Sequence, residues 1–260
     1  MTDPAAPNAG LPRGSRSREI VVRFSHIDAA GIVFYPRYIE MLAQAFPELA
    51  SSESPFTLAI EFTKPIPLGA RLTLAIEASV PQDGWRLSGL SGDDEQFTMT
   101  WKSGNEIPLQ PQDHDPGRAA FRSDAMRVDY WAAGPDAHLQ VSRYYEFVNA
   151  AVEQWFEKEL GLSFSRLHDD RAGIPTVSLR TRCAKLPRLG DEIRIWIRPT
   201  RVGSRSIQFD SWLVDARGCL SKTSQTIVFV RLEQRGFRSA PLPEALRSQL
   251  LRQLAGTGRE

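Results

Sequence analysis

The sequence predicts an α+β fold built twice over: two units in tandem, each a long helix wrapped by an antiparallel β-sheet. Three observations predict it. Short runs alternate apolar and polar residues and are separated by Gly/Pro turns, the period of half-buried strands. Each series of runs contains a single stretch with helical spacing. Helix and strands then recur in the same order further along the chain. The 260 residues suffice for one large core or two modest ones, and 42% hydrophobic with 24% charged residues is an ordinary globular composition.

The first series opens after residues 1–17, a Pro-, Ala-, Gly- and Ser-rich stretch read as a disordered tail with no apolar signal core. Glu19 to Phe24 reads as a strand. The loop SHIDAAGIV follows, and Pro36 stands where a helix begins, because its fixed φ suits the first turn and its missing N–H is not needed there. Tyr38, Met41, Leu42, Ala45 and Phe46 share one helix face. FTLAIEF, RLTLAIEASV, Trp85 to Leu90 and Phe97 to Trp101 read as strands, with PIPLG as the turn between the first two.

Residues 102–124 are polar, rich in Pro and Gly and without an apolar period, and read as a linker. The pattern then restarts. MRVDY reads as a strand and SRYYEFVNAAVEQWFEKEL as a longer helix stopped by Gly161. TVSLRTRCAKL, DEIRIWIRPTRV, SIQFDSWLVDA and KTSQTIVFVRLE read as strands. The boundaries expected are 18–101 for the first unit, 125–233 for the second, and a tail of 234–260 carrying a short helix from Pro243 to Leu254. The two series superpose by counting: Arg37-Tyr38-Ile39-Glu40 falls on Arg143-Tyr144-Tyr145-Glu146, and Leu68-Gly69 on Leu189-Gly190. The spacing is about 106 residues in the first match and about 121 in the second, so the first unit is shorter after its helix.

The chemistry-bearing segment is FSHIDAAGIVFYPRY, residues 24–38. A helix starting at Pro36 points unpaired N–H groups and a positive dipole end at whatever precedes it. A carbonyl placed there would be polarised. Gly31 would let the loop approach a ligand without a Cβ in the way. Asp28 lies too far ahead of Pro36 for an ordinary helix cap, although a turn-forming Asp is common in such loops.

Asp28, Ala30, Gly31, Ile32, Val33, Tyr35, Pro36 and Tyr38 resemble the signature of the 4-hydroxybenzoyl-CoA thioesterase family of hotdog proteins. The resemblance implies hydrolysis of an acyl-CoA with an aromatic or medium-length acyl group, and no cofactor or metal. It implies the Tyr35 N–H as oxyanion donor. It also implies Asp28 as the catalytic carboxylate, either attacking the thioester carbon or activating water as a base. A basic residue beside a Ser would grip the CoA phosphates. Arg205 in VGSRSI and its neighbour Arg201 match that place, and Arg86 is the counterpart in the first unit.

By the same counting Asp28 falls opposite Gly134, Gly31 opposite Ala137, Tyr35 opposite Val141 and Pro36 opposite Ser142. The second unit therefore has no equivalent carboxylate. Asp136 is two positions out of register, and His138 is a candidate to line the remnant site, against the plainer reading of a partly buried structural His. Tyr144, Phe147, Val148 and Trp155 read as core, and Glu146 and Glu153 as a solvated helix face, with auxiliary acids as the sharper alternative. His26 and Asp28 lack the further ligands of a metal site. The expected partner is an acyl-CoA, met by an internal pseudo-dimer, with pairing of two whole chains left open. A non-catalytic acyl-thioester-binding hotdog protein is the alternative.

A net charge of +1 supplies no argument for nucleic acid or an anionic membrane. No apolar run approaches the ~18 residues needed to cross a bilayer. Two widely spaced cysteines suggest neither a disulfide framework nor a metal site, consistent with a cytoplasmic protein.

Overall fold

The computed structural model describes residues 16–46, 49, 55–79, 84–104, 109, 119–233 and 236–256. In chain order these form β1 (Arg16–Val21), α1 (Tyr35–Ala45), β2 (Phe56–Phe62), β3 (Arg71–Ser79), β4 (Gly84–Ser91), β5 (Asp94–Ser103), β6 (Phe121–Arg122), β7 (Met126–Arg127) and α2 (Val141–Leu160). They continue with α3 (Phe164–Asp169), β8 (Ala172–Gly173), β9 (Thr176–Cys183), β10 (Glu192–Val202), β11 (Ser206–Asp215), β12 (Gly218–Val228), β13 (Val230–Glu233), β14 (Gly236–Ser239) and α4 (Glu244–Gly256). The α+β hotdog architecture is as expected: helices packed on one large antiparallel sheet.

The sheet order is β1-β3-β4-β5-β2-β9-β12-β11-β10-β6, with β7 also on β10. Each half thus lists its strands in the same order, and the halves join where β2 pairs antiparallel with β9, Phe56 opposite Cys183 and Glu61 opposite Ser178. Alternation explains the inner face: along β2, Phe56, Leu58 and Ile60 are buried while Thr57, Ala59 and Glu61 are not. α1 buries Tyr38, Met41 and Leu42, a stripe at helical spacing. α2 buries Tyr144, Val148, Ala151, Val152 and Trp155, and Gly161 ends it in the left-handed conformation. Each such apolar side chain contributes about 1.5–3 kcal/mol on burial.

The same backbone hydrogen bonds recur in both halves at the two spacings read from the sequence. Val22 N–H donates to Ala70 O and Val128 N–H to Asp191 O; Gly69 N–H donates to Val22 O and Gly190 N–H to Val128 O. At a third spacing for the acceptor, 96 against 220, the Thr63 and Lys64 N–H groups share Gln96 O as those of Ala184 and Lys185 share Leu220 O.

The expected edges need correction. The first strand begins at Arg16 and ends at Val21, because Phe24–His26 form a 3-10 turn. Residues 1–15 of the expected tail lie outside the described residues. So does most of the expected linker, 105–108 and 110–118, but Phe121 and Arg122 at its end pair with Ile197 and Trp196. The run KTSQTIVFVRLE is broken at Phe229, whose N–H turns to Arg205 O, so that β13 joins β14 and β8 in a small separate sheet. Residues 236–256 are an integral layer: Leu242, Leu246 and Leu250 are buried, and α4 packs on β10. No helix among the described residues is long and apolar enough to cross a membrane.

Candidate active site

The loop between β1 and α1 is a tight, self-bonded turn. Asp28 N–H donates to Ile32 O at 2.8 Å and Gly31 N–H to Asp28 O at 3.0 Å, while Ile27 bridges Val33. Asp28 Oδ1 accepts from Ala30 N–H at 2.8 Å and Ile32 N–H at 3.4 Å. The turn-forming role is therefore present, although no side chain caps α1, whose N-cap is Phe34. Gly31 is at φ +77°, and a Cβ there would meet nothing within 4 Å. The positive φ is a conformational requirement that glycine meets without strain, and no neighbouring protein atom crowds the position.

The loop is docked by Val33 N–H on Ile66 O and by a bridge from Ile32 to Pro67, which places it at the Phe62 end of β2. Pro36 sits in the first turn of α1, and the Tyr35 N–H has no hydrogen-bond partner among the described residues. The Asp28 turn thus lies in the loop that leads directly into this helix start. Burial raises the Asp28 carboxyl above its ordinary pKa, opposed by the Ile32 and Ala30 N–H bonds. Tyr38, one face of α1 further on, is close enough that burial and then the Asp28 charge raise its phenol. That proximity is not readable from helical spacing alone.

The second half walls this helix start. Tyr35 Oη donates to Tyr145 O at 3.1 Å, and its ring meets Tyr145 edge-on at 6.4 Å. Arg37 reaches Glu146 at 2.8 Å, and Arg143 holds the same carboxylate at 2.6 Å. Glu146 is thus a cross-helix ion pair, not a solvated residue. Gln225 on β12 lies beside Tyr35 and donates Nε2–H to Thr176 Oγ1 at 2.6 Å, while its buried Oε1 has no partner among the described residues. Nothing in the sequence pattern singled out Gln225. Glu153 is held by Asn149 at 2.6 Å, and burial raises its carboxyl.

In the second half the loop repeats bond for bond without the carboxylate. Gly134 N–H donates to His138 O, Ala137 N–H to Gly134 O, and His138 bridges Arg188 as Ile32 bridges Pro67. Ala137 holds φ +61°, the conformation Gly31 adopts freely. His138 is clamped: Nδ1 lies 3.2 Å from Asp136 Oδ2, and Arg188 Nε–H donates to Nε2 at 3.2 Å. With both ring nitrogens engaged it has no free base, and Asp136 is spent on holding it.

The strand register sorts the remaining candidates. The His138 loop lies beyond Cys183, at the Phe56 end of the sheet, about 20 Å along β2 from the Asp28 loop. Arg86 is mid-strand, opposite Glu77 and Thr100, and exposed on the face away from buried Leu87, so it is not brought to the loop. Arg201 and Arg205 flank the β10–β11 hairpin, which the pairs Val202–Ile207, Ile207–Ile227 and Ile227–Thr176 place at the Asp28 end. Neither forms an ion pair among the described residues.

Solved structures share this fold. A 12:0-ACP thioesterase from Umbellularia californica matches with TM-score 0.61 and 7% identity, covering 82% of this chain and 93% of its own. An acyl-ACP thioesterase from Bacteroides thetaiotaomicron matches with TM-score 0.55 and 12% identity over 83% and 97%. A provisionally named oleoyl thioesterase from Lactobacillus plantarum matches with TM-score 0.64 and 10% identity over 86% and 99%. No curated protein matches the sequence. The family model of the thioesterase-like superfamily matches residues 112–250, beyond the Asp28 loop. That match spans more than half of the chain, and the protein belongs to the thioesterase-like superfamily.

Proposed function

We propose that the protein hydrolyses an acyl-CoA thioester, with an aromatic or medium-length acyl group, at one site built around Asp28, and that its two halves are hotdog units in tandem. The observation that carries this is the pair of loops with one backbone turn: Asp28 stands in the loop that leads into a helix whose first N–H is unpaired among the described residues, where the repeat has Gly134 and uses its own Asp136 to hold His138. The thioester carbonyl oxygen would take the Tyr35 N–H, which stabilises the charge it gains. Asp28 then acts in one of two ways. It attacks the carbonyl carbon, expelling the CoA thiolate and leaving an acyl anhydride for water to open, or it takes a proton from water that attacks directly. Arg201 and Arg205, at the same end of the sheet, suit the phosphates of CoA. His138 and Arg86 are placed elsewhere and have no part in this reading.

One observation favours a second reading, a binding protein without turnover: Asp28 Oδ1 is already used in the turn. Free-thiol release separates the two. Wild type is expected to release thiol from at least one member of a panel of aromatic and aliphatic acyl-CoA and acyl-ACP thioesters, and Asp28→Asn, which keeps Oδ1, to lose about 100-fold or more. Equal rates would remove Asp28 from the chemistry, and thioester binding without thiol release would establish the second reading.

A further inference from the structure

The first half holds a cleft of about 600 Å³ between β1, the 3-10 turn and α1, lined by Arg23, Ser25, His26, Met41, Gln44 and Arg71 among others. The second half shows what fits there. By the 106-residue spacing Ser25 corresponds to Trp131 and Met41 to Phe147, and those two rings stack at 6.1 Å and 20°, with the Arg143 guanidinium 5.8 Å from the Trp131 centroid. Arg23 and Arg71 correspond to Asp129 and Glu192. One half covers the position with its own half-exposed indole and has acids at the two counted positions; the other leaves it open and has arginines there.

We propose that this cleft binds a planar aromatic ring carrying phosphate, a purine nucleotide group. The ring takes the place of Trp131 in the cleft, whose floor includes the buried Met41. Arg23 and Arg71, which form no ion pair among the described residues, take the phosphate. His26 accepts the Arg23 N–H at Nδ1 at 3.1 Å, so its neutral ring carries the proton on Nε2 and offers a further donor. Of the carboxylates at the cleft, Glu40 is neutralised by Arg37 at 2.7 Å, and Glu19 on β1 is an acceptor for an exocyclic amine. The nucleotide is either the adenosine end of a CoA substrate or a free nucleotide. The first source rests on the thioesterase reading and the second does not.

Adenosine 3′,5′-bisphosphate, AMP, CoA and inorganic phosphate, titrated calorimetrically into the full chain, test this. The bisphosphate is expected to bind at one site per chain, more than about tenfold more weakly to Ser25→Trp, which plugs the cleft as the second half does, and to Arg71→Glu. Asp28→Asn is expected to bind it as wild type does, even if the chain proves to hydrolyse nothing. A substrate role shows as a KM for pantetheine thioesters well above that for the CoA thioesters. An effector role shows as AMP binding as tightly as the bisphosphate, with equal KM for both thioesters. The proposal is overturned if neither nucleotide binds at millimolar concentration, if phosphate binds as well as the nucleotides, or if Ser25→Trp and Arg71→Glu, both folded by near-UV circular dichroism, bind like wild type.

Discussion

The two halves have one backbone and opposite interiors. On the inner face of the first, Tyr38 meets Phe62 and Phe97 edge-on at 4.8 and 4.9 Å, above Ile60, Leu87 and Met99. At the matching places of the second stand Cys183, Ser221, Thr181, Ser211 and Thr223, all buried. There Tyr144, the counterpart of Tyr38, has its hydroxyl 2.7 Å from Thr223 Oγ1 and accepts from Ser221 Oγ at 3.0 Å. Thr181 and Thr223 are 2.8 Å apart, and Tyr145 Oη donates to Thr181 Oγ1 at 2.7 Å. A buried hydroxyl is tolerated only with partners, so this set stands or falls together. The Asp28 loop belongs to the half with the apolar core. A fold can therefore keep its hydrogen-bond skeleton while its two copies diverge in what they bury and what they could do.

The largest effect that could break the comparison is on rate. Asp28→Asn is expected to slow thiol release about 100-fold or more, and His138→Ala and Gly134→Ala to change it less than about threefold. A larger loss in the second half would reverse the assignment. Next come the cores, read by denaturant unfolding. Met99→Thr places a lone hydroxyl in an apolar interior and is expected to cost about 2–4 kcal/mol. Thr223→Val strips partners from Tyr144 and Thr181 and is expected to cost about 1–3 kcal/mol. If Met99→Thr proved neutral, the first core would not be dry.

A pH-dependent difference follows from Asp28. Its carboxyl pKa is raised by burial, so its contribution to stability is fully present below the unfolded-state pKa and lost as pH rises through the folded one. Asp28→Asn is therefore expected to melt above wild type at pH 7, the gap closing in acid below the ordinary carboxylate range. Hydrolysis, which needs the ionised form, is expected to decline on acidification from a point above that range. The smallest effects are at the paired loop positions. Gly31→Ala is expected to cost about 1–2 kcal/mol, and Ala137→Gly to cost nothing or to stabilise by a few tenths, since glycine holds the left-handed conformation without strain but has more freedom to lose on folding.

Periodicity made the sheet legible: FTLAIEF is β2 residue for residue, and Gly161 stops α2 where expected. The 106-residue spacing held through the loop because backbone geometry there depends on turn type more than on side chains. What stayed hidden was tertiary. The partner change at Phe229 needs Arg205 from another hairpin, and α3 is too short for a period to show. At the site, Asp28 and Tyr35 stand out in a motif, whereas Gln225 reaches Tyr35 only through the β2–β9 junction, which no local pattern encodes. Arg86 and Arg205 look alike in sequence, and only strand register separates them.

That junction has a consequence for concentration. Where separate chains must associate to complete a site, dilution empties it by mass action. Here the wall supplied by Tyr145 and Glu146 is tethered to the Asp28 loop along one chain. Dilution therefore leaves these two contacts in place, since neither depends on the association of two chains.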